Sequence, residues 1–425
     1  MRKLPFAVTL AILILMSASA AMQEVELEFW FGHDRTNAFA QRFARKIEEF
    51  NETNPHGIRI NMHFMGTSGY RDKLIAAEAA GTGPDVAHMW TYHLQPFAVS
   101  GLLLDVYSVI DPSRVRERAD LTPGAAEMVT YKGGLYGLPL AANTFGLIYN
   151  GDDFNEAGLA GAPRTVEELD LYAQRLTRMN NDGSIAHMGY YPDDFTRLYW
   201  GWVFGGEYYD PETQRYTVDS PGIVAALEWN VSYHDRYGLG AIEAFRSALG
   251  SPAQGSGPLL SGLFSILSIG QYRIQTLRQL GPDTNWGFAP LPSTQGGPEK
   301  TTLIEADVAA VMASTSHPQE ASEFLLWLGS SEVLGSMLGG EQNPLVPHNG
   351  VTKELYHPDY HMWLELAQSP NARAVPFTPI ADSFATVFNA QVRKALNGQT
   401  TPRAALSEAN SILNELMELA LQDQP

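Results

Sequence analysis

The sequence contains no cysteine. That excludes disulfides, thiolate metal sites and cysteine nucleophiles, and the expectation is a protein without a lipid-anchored N-terminal cysteine. Positive charge is scarce: 28 Lys and Arg stand against 47 Asp and Glu, a formal net charge of −19. So acidic a chain repels nucleic-acid phosphates and anionic lipid, and no nucleic-acid partner is expected. No Gly-x-Ser-x-Gly elbow, His-Glu-x-x-His helix or phosphate loop occurs, and no internal repeat, low-complexity tract or heptad array. Apart from a short run at the start, no apolar stretch approaches the length of a membrane span.

What is present is ordinary for a globular protein, with 44% hydrophobic and 18% charged residues. The 425 residues are too many for one core and imply two or three domains. Arg2 and Lys3 precede an apolar run over 4–16 and then Ser17-Ala18-Ser19-Ala20-Ala21, the parts of a secretory signal peptide. Cleavage after Ala20 or Ala21 is expected, so residues 1–21 are set aside and the net charge moves from −19 to −21. The mature protein is expected to be soluble, not membrane-inserted, and periplasmic.

Residues 24–31 alternate in the manner of a strand, and Phe39, Phe43, Ile47 and Phe50 make a helical stripe. A strand over 58–64, a helix over 70–80 and a strand over 85–90 follow, which predicts an α/β lobe with a largely parallel sheet. Ligands sit beyond the carboxyl ends of such strands, which singles out residues 30–34 and a polar-aromatic loop over 90–93. The stretch 131–150 organises the rest. Lys132-Gly133-Gly134 signals a hairpin, and Pro139 cannot donate to a central ladder. The apolar run after it carries Asn143 and Thr144 near its middle, which fits a strand crossing over a cleft between two lobes, or an edge strand with a bulge.

Further on, Thr165 and Glu168 form a capping box. Residues 190–209 are dense in aromatics, residues 221–237 and 318–328 read as helices, and 250–257 is a Ser/Gly/Pro-rich connection. Glu305 and Asp307 share one face of an apolar strand over 303–312, where carboxylates without partners are costly. They are therefore hydroxyl acceptors or a structural pair.

Several motifs in order carry a resemblance: Gly81-Thr82-Gly83-Pro84-Asp85-Val86, Ser100-Gly101-Leu102-Leu103, Gly137-Leu138-Pro139 with Tyr149-Asn150, and Pro163-x-Thr165-x-Glu167-Glu168-Leu169. Then come Gly205-Gly206, Trp286-Gly287-Phe288-Ala289-Pro290-Leu291-Pro292, Ala321-Ser322-Glu323-Phe324-Leu325 and Ala395-Leu396-Asn397-Gly398. Behind a signal peptide, this series resembles the extracellular solute-binding proteins of sugar ABC transporters, the maltose-binding-like family. The resemblance implies an α/β, two-lobed periplasmic-binding-protein fold with three hinge crossovers, near 142–145, 286–289 and 327–331. The lobes would comprise 22–142 plus 287–329 and 143–286 plus 330–425. It implies a monomer that closes on a mono- or oligosaccharide and delivers it to permease subunits, with no catalytic residue, cofactor or metal.

A sugar site needs stacking aromatics and short polar side chains in a partly desolvated cleft, and carboxylates are the strongest hydroxyl acceptors. By position in the resembling family, the candidates are His33, Asp34, Trp90 and Tyr92 in the first lobe and Asn143 at the hinge. Glu305 and Asp307 join them, followed in the second lobe by Asp193, with its neighbour Asp194, then Trp200, Trp202, Tyr272, Gly340 and Glu341. A receptor for a polyamine would use the same acidic and aromatic residues. One for a sugar phosphate or glycerol phosphate needs Arg35, Arg197 or Arg273 turned inward. Iron would call on Tyr190-Tyr191 and Tyr208-Tyr209, and a secreted glycoside hydrolase on two carboxylates at a set separation.

Overall fold

The computed structural model describes residues 24–192, 198–248, 257–338, 345–346 and 348–422. Strand β1 (Val25–Phe31) buries Leu27, Phe29 and Phe31 on alternate positions and pairs in parallel with β2 (Ile58–Phe64) and β3 (Val86–Trp90). Helix α1 (Ala38–Thr53) begins where the Asn37 side chain accepts the Ala40 N–H, and it buries Ala40, Phe43, Ile47 and Phe50. Phe39, predicted on that stripe, is only partly buried. Helix α2 (Tyr70–Ala80) stops at Gly81, whose φ of 67° turns its N–H back onto the last carbonyls. Residues 90–93 are not a loop: β3 passes directly into helix α3 (Thr91–Val99), with Trp90 at the junction.

The remaining strands of the sheet are β4 (Leu138–Asn150), β5 (Ile266–Gly270), β6 (Trp286–Ala289), β7 (Thr302–Val311) and β8 (Ala372–Arg373). The sheet runs β5-β4-β7-β3-β1-β2, with β6 also on β4 and β8 also on β7. β4 changes partners along its length: residues 138–144 pair with β7, 145–149 with β5 and 147–150 with β6. β7 likewise runs from β8 through β4 to β3. Two long central strands thus hold one sheet together, and β4 is not an edge strand. It does carry an irregularity. The register with β7 shifts between Asp307 and Val308, so that Leu140 is passed over beside Pro139, which has no N–H to give.

Residues 286–289 pair with residues 147–150 at one end of β4. One expectation is corrected here. The polar centre of β4 is Asn143 alone; Thr144 is fully buried on the other face and its hydroxyl donates to the Trp363 carbonyl at 3.2 Å. Just beyond, the Thr302 hydroxyl accepts the Phe145 N–H at 2.8 Å and donates to the Phe145 carbonyl at 2.9 Å. Among the described residues no helix is long and apolar enough to cross a membrane.

Candidate functional site

Beside β4 and β7 lies a cavity of about 380 Å³. His33, Asn37, Phe39, Arg42 and Trp90 line it, with Ala141, Asn143 and Asp307 from the two central strands, and Gln271, Tyr272, Gln275 and Tyr360.

Asp307 stands at the register shift in β7, where an irregular ladder re-aims a side chain. Its Oδ1 is held by His33 Nε2 at 3.3 Å and by His88 Nε2 at 3.1 Å. His88 is fully buried in β3 and stacks on Phe31 with ring centroids 4.3 Å apart. Its Nδ1 accepts the Gly32 N–H at 3.3 Å, which assigns the neutral tautomer with the proton on Nε2, donated to Asp307. Burial holds the His88 imidazole below its ordinary range, against the pull of Asp307. For Asp307, burial raises the pKa, but the hydrogen bonds from the two histidines outweigh it, and the carboxyl ends well below the usual range. It is an ionised acceptor whose Oδ2 has no partner among the described residues.

His33, His88 and Asp307 bring three ligand-type atoms within 4.8 Å of one another, yet their donor pattern does not suit a metal. A metal-bound histidine donates its other ring N–H to an acceptor. In His88 the other nitrogen already accepts an N–H from Gly32.

Trp90 stands edge-on to His33, centroids 5.4 Å apart, and Tyr272 enters from the opposite side of the cavity, 41% exposed. Tyr92 lies parallel to Trp90 at 6.0 Å but does not line the cavity. Nor does Asp34, which is exposed beside Gly66. Glu305 sits across the ladder from Asn143, also outside the lining.

Trp200 and Trp202 are corrected as ligand candidates. Their helix, Tyr199–Val203, is a short turn buried on all sides; Trp200 packs on Trp229 at 4.7 Å and Trp202 edge-on to Tyr208 at 5.4 Å. Tyr190, Tyr191 and Tyr208 are buried in the same ring packing. Asp193, Asp194, Arg197, Gly340 and Glu341 lie outside the described residues. Arg35 covers the Phe64 ring and Arg273 the Tyr272 ring; the guanidinium that lines the cavity is Arg42, which donates to the Met337 carbonyl at 2.9 Å.

The sequence reading missed His88, Arg42, Gln271 and Tyr360. His88 carried a usable signal, a polar residue in a buried strand that must find a partner, the reasoning applied to Asp307.

The sequence model of the family described as bacterial extracellular solute-binding protein matches residues 35–334. The chain belongs to this family. Among similar solute-binding proteins, the galactooligosaccharide-binding protein of Bacillus subtilis is 24% identical over 92% of this chain and 90% of its own. A Streptomyces antibioticus chain called an uncharacterized lipoprotein is 26% identical; the match covers 66% of this chain and spans only 62% of that relative's length. A solved structure described as CpMnBP1 with mannotriose bound is 25% identical, with a TM-score of 0.73 over 91% of this chain and 99% of that one.

Proposed function

We propose that this solute-binding protein is the receptor of an ABC importer, which closes on a neutral mono- or oligosaccharide between its lobes and delivers it to permease subunits. The observation that carries this reading is one cavity with Trp90 on one side, Tyr272 on the other, and Asp307 and Asn143 on the strands between them. Aromatic faces take the flat C–H face of a sugar, and the polar pair takes its hydroxyls. The names of the Bacillus relative and the mannotriose-bound structure support the same ligand class. Among the described residues the cavity is lined by one ionised carboxylate and one guanidinium, Asp307 and Arg42, a balance that favours an uncharged solute over a polycation or a phosphate ester.

In this reading the protein acts as an exported periplasmic monomer without catalysis, its lobes dividing near Asn143 on β4. The basic and apolar start of the sequence, with its small-residue end, supports export. Closure follows because the ligand touches both lobes only when they meet, so binding shifts the population towards the closed form.

A thermal-shift screen of the mature protein against neutral sugars, sugar phosphates, polyamines and ferric ion tests this. A ligand at about 100 times its Kd adds roughly 2.7 kcal/mol. A raised midpoint with a neutral sugar that is recovered intact supports the receptor. Stabilisation only by cations or phosphate esters overturns the ligand class, and release of a cleaved sugar overturns the receptor itself.

A further inference from the structure

The cavity's hydrogen-bonding polarity is set by a residue that the sugar reading does not itself require. Gln271 follows β5 and is buried, 2% exposed. Its Oε1 accepts the Thr144 N–H at 2.9 Å, and its Nε2 donates to the Ala142 carbonyl and to Asn143 Oδ1, each at 2.9 Å. A primary amide has two N–H donors and one carbonyl, so both donors and the carbonyl of this side chain are engaged. Its orientation cannot be reversed, because reversal would set N–H against the Thr144 N–H and carbonyl against the Ala142 carbonyl. The second N–H must therefore meet an acceptor, which turns Asn143 Oδ1 towards Gln271 and Asn143 Nδ2 towards the cavity. Among the described residues that Nδ2 has no partner.

On the next strand the opposite polarity is fixed. Asp307 Oδ1 is taken by His33 and His88, and Oδ2 remains as a charged acceptor. Asp307 stands across from Ala141, two residues from Asn143, so the two side chains are diagonal neighbours on one face. Diagonal positions lie about 7–8 Å apart, a gap that two adjacent hydroxyls can bridge.

We propose that Gln271 is a positioning residue that presents Asn143 as a donor beside the Asp307 acceptor, so that the site selects a pair of neighbouring hydroxyls of which one accepts and the other donates. This rests on the neutral-sugar reading above and deepens it. A ring oxygen or an amide carbonyl satisfies Asn143 but not Asp307, and a carboxylate or phosphate is repelled by Asp307.

Monofluoro derivatives of the bound sugar provide the test, since fluorine replacing a hydroxyl can accept but cannot donate. Binding is measured by calorimetry on the wild type, Gln271→Glu and Asn143→Asp, the last leaving Gln271 in place should Gln271→Glu fold poorly. In the wild type, one ring position should tolerate fluorine within a few-fold, and its neighbour should lose roughly tenfold to a hundredfold in affinity. Both variants present an acceptor in place of the Asn143 donor, so the tolerant position should become intolerant while the loss at its neighbour stays unchanged. A change that merely loosened the strand would weaken all derivatives alike. A wild type that binds the sugar without this split, or a folded Gln271→Glu that keeps the wild-type pattern, overturns the proposal and leaves the receptor standing. A wild type that binds no neutral sugar overturns both.

Discussion

Between residues 190 and 209 the chain carries Tyr190, Tyr191, Phe195, Tyr199, Trp200, Trp202, Phe204, Tyr208 and Tyr209, whereas the cavity takes Phe39, Trp90, Tyr272 and Tyr360 from four separate places. In the dense region ring meets ring: Trp200 is packed by Tyr190, Tyr199 and Trp229 and has no exposed surface. At the cavity, Trp90 and Tyr272 each stand at the carboxyl end of a strand with a face or edge uncovered. Aromatic side chains clustered in sequence satisfy one another and make a core. Trp90 and Tyr272, where strands end, keep surface to offer although Trp90 also packs on Tyr92.

The comparison can be broken by substitution. Trp200→Ala should cost about 3–5 kcal/mol of stability, because a large buried ring leaves a cavity its neighbours fill only in part. Urea unfolding reads that loss, and the Kd measured well below the midpoint should be unchanged. Asp307→Asn replaces a charged acceptor by an amide and should weaken sugar binding by about 1.5–3 kcal/mol, tenfold to a hundredfold. Calorimetry at constant pH reads it.

The same contrast between core and cavity sharpens with a histidine. His348 is 1% exposed, away from the cavity, and burial lowers its pKa from 6.5 to about 4. Between those values the unfolded chain holds a proton that the folded chain does not, so stability falls as pH falls, by about 1.4 kcal/mol per unit. From pH 6.5 to 5 this amounts to about 1.6 kcal/mol, and His348→Gln should remove that part of the slope in urea midpoints. The smallest effect is expected at the cavity wall. Trp90→Ala should reduce affinity by about 1–2 kcal/mol, read by calorimetry below the midpoint, and should lower the thermal midpoint less than Trp200→Ala does, because Trp90 is only part-buried.

How much the sequence disclosed depends on the range of the interaction involved. Alternation in 24–31 and the cap at Thr165, whose hydroxyl takes the Glu168 N–H at 3.2 Å, are local patterns, and the corresponding elements stand where they were predicted. Asp307 was identified as a candidate because a carboxylate in an apolar strand needs a partner. Its partners, His33 and His88, lie 274 and 219 residues away, and neither pairing is written in spacing. Trp200 and Trp202 misled because a tryptophan's identity says that it seeks cover and not which surface supplies it. Gln271 gave no signal at all, since the backbone groups it serves lie on a strand more than a hundred residues earlier.

Along β4, Gln271 and Thr302 do with side chains what a neighbouring strand elsewhere does with its backbone. One takes the Ala142 carbonyl and the Thr144 N–H on one edge, and the other takes both groups of Phe145 on the opposite edge. Backbone ladders resist shear because donor and acceptor are fixed to the chain; a side-chain bond keeps torsions of its own and can follow a small rotation without breaking. Residues 142–144 keep the β7 ladder on one edge while Gln271 serves the other, so a single side chain closes what the end of β5 leaves open. That side chain also holds Asn143, so one glutamine ties the integrity of the strand to the orientation of a residue that lines the cavity.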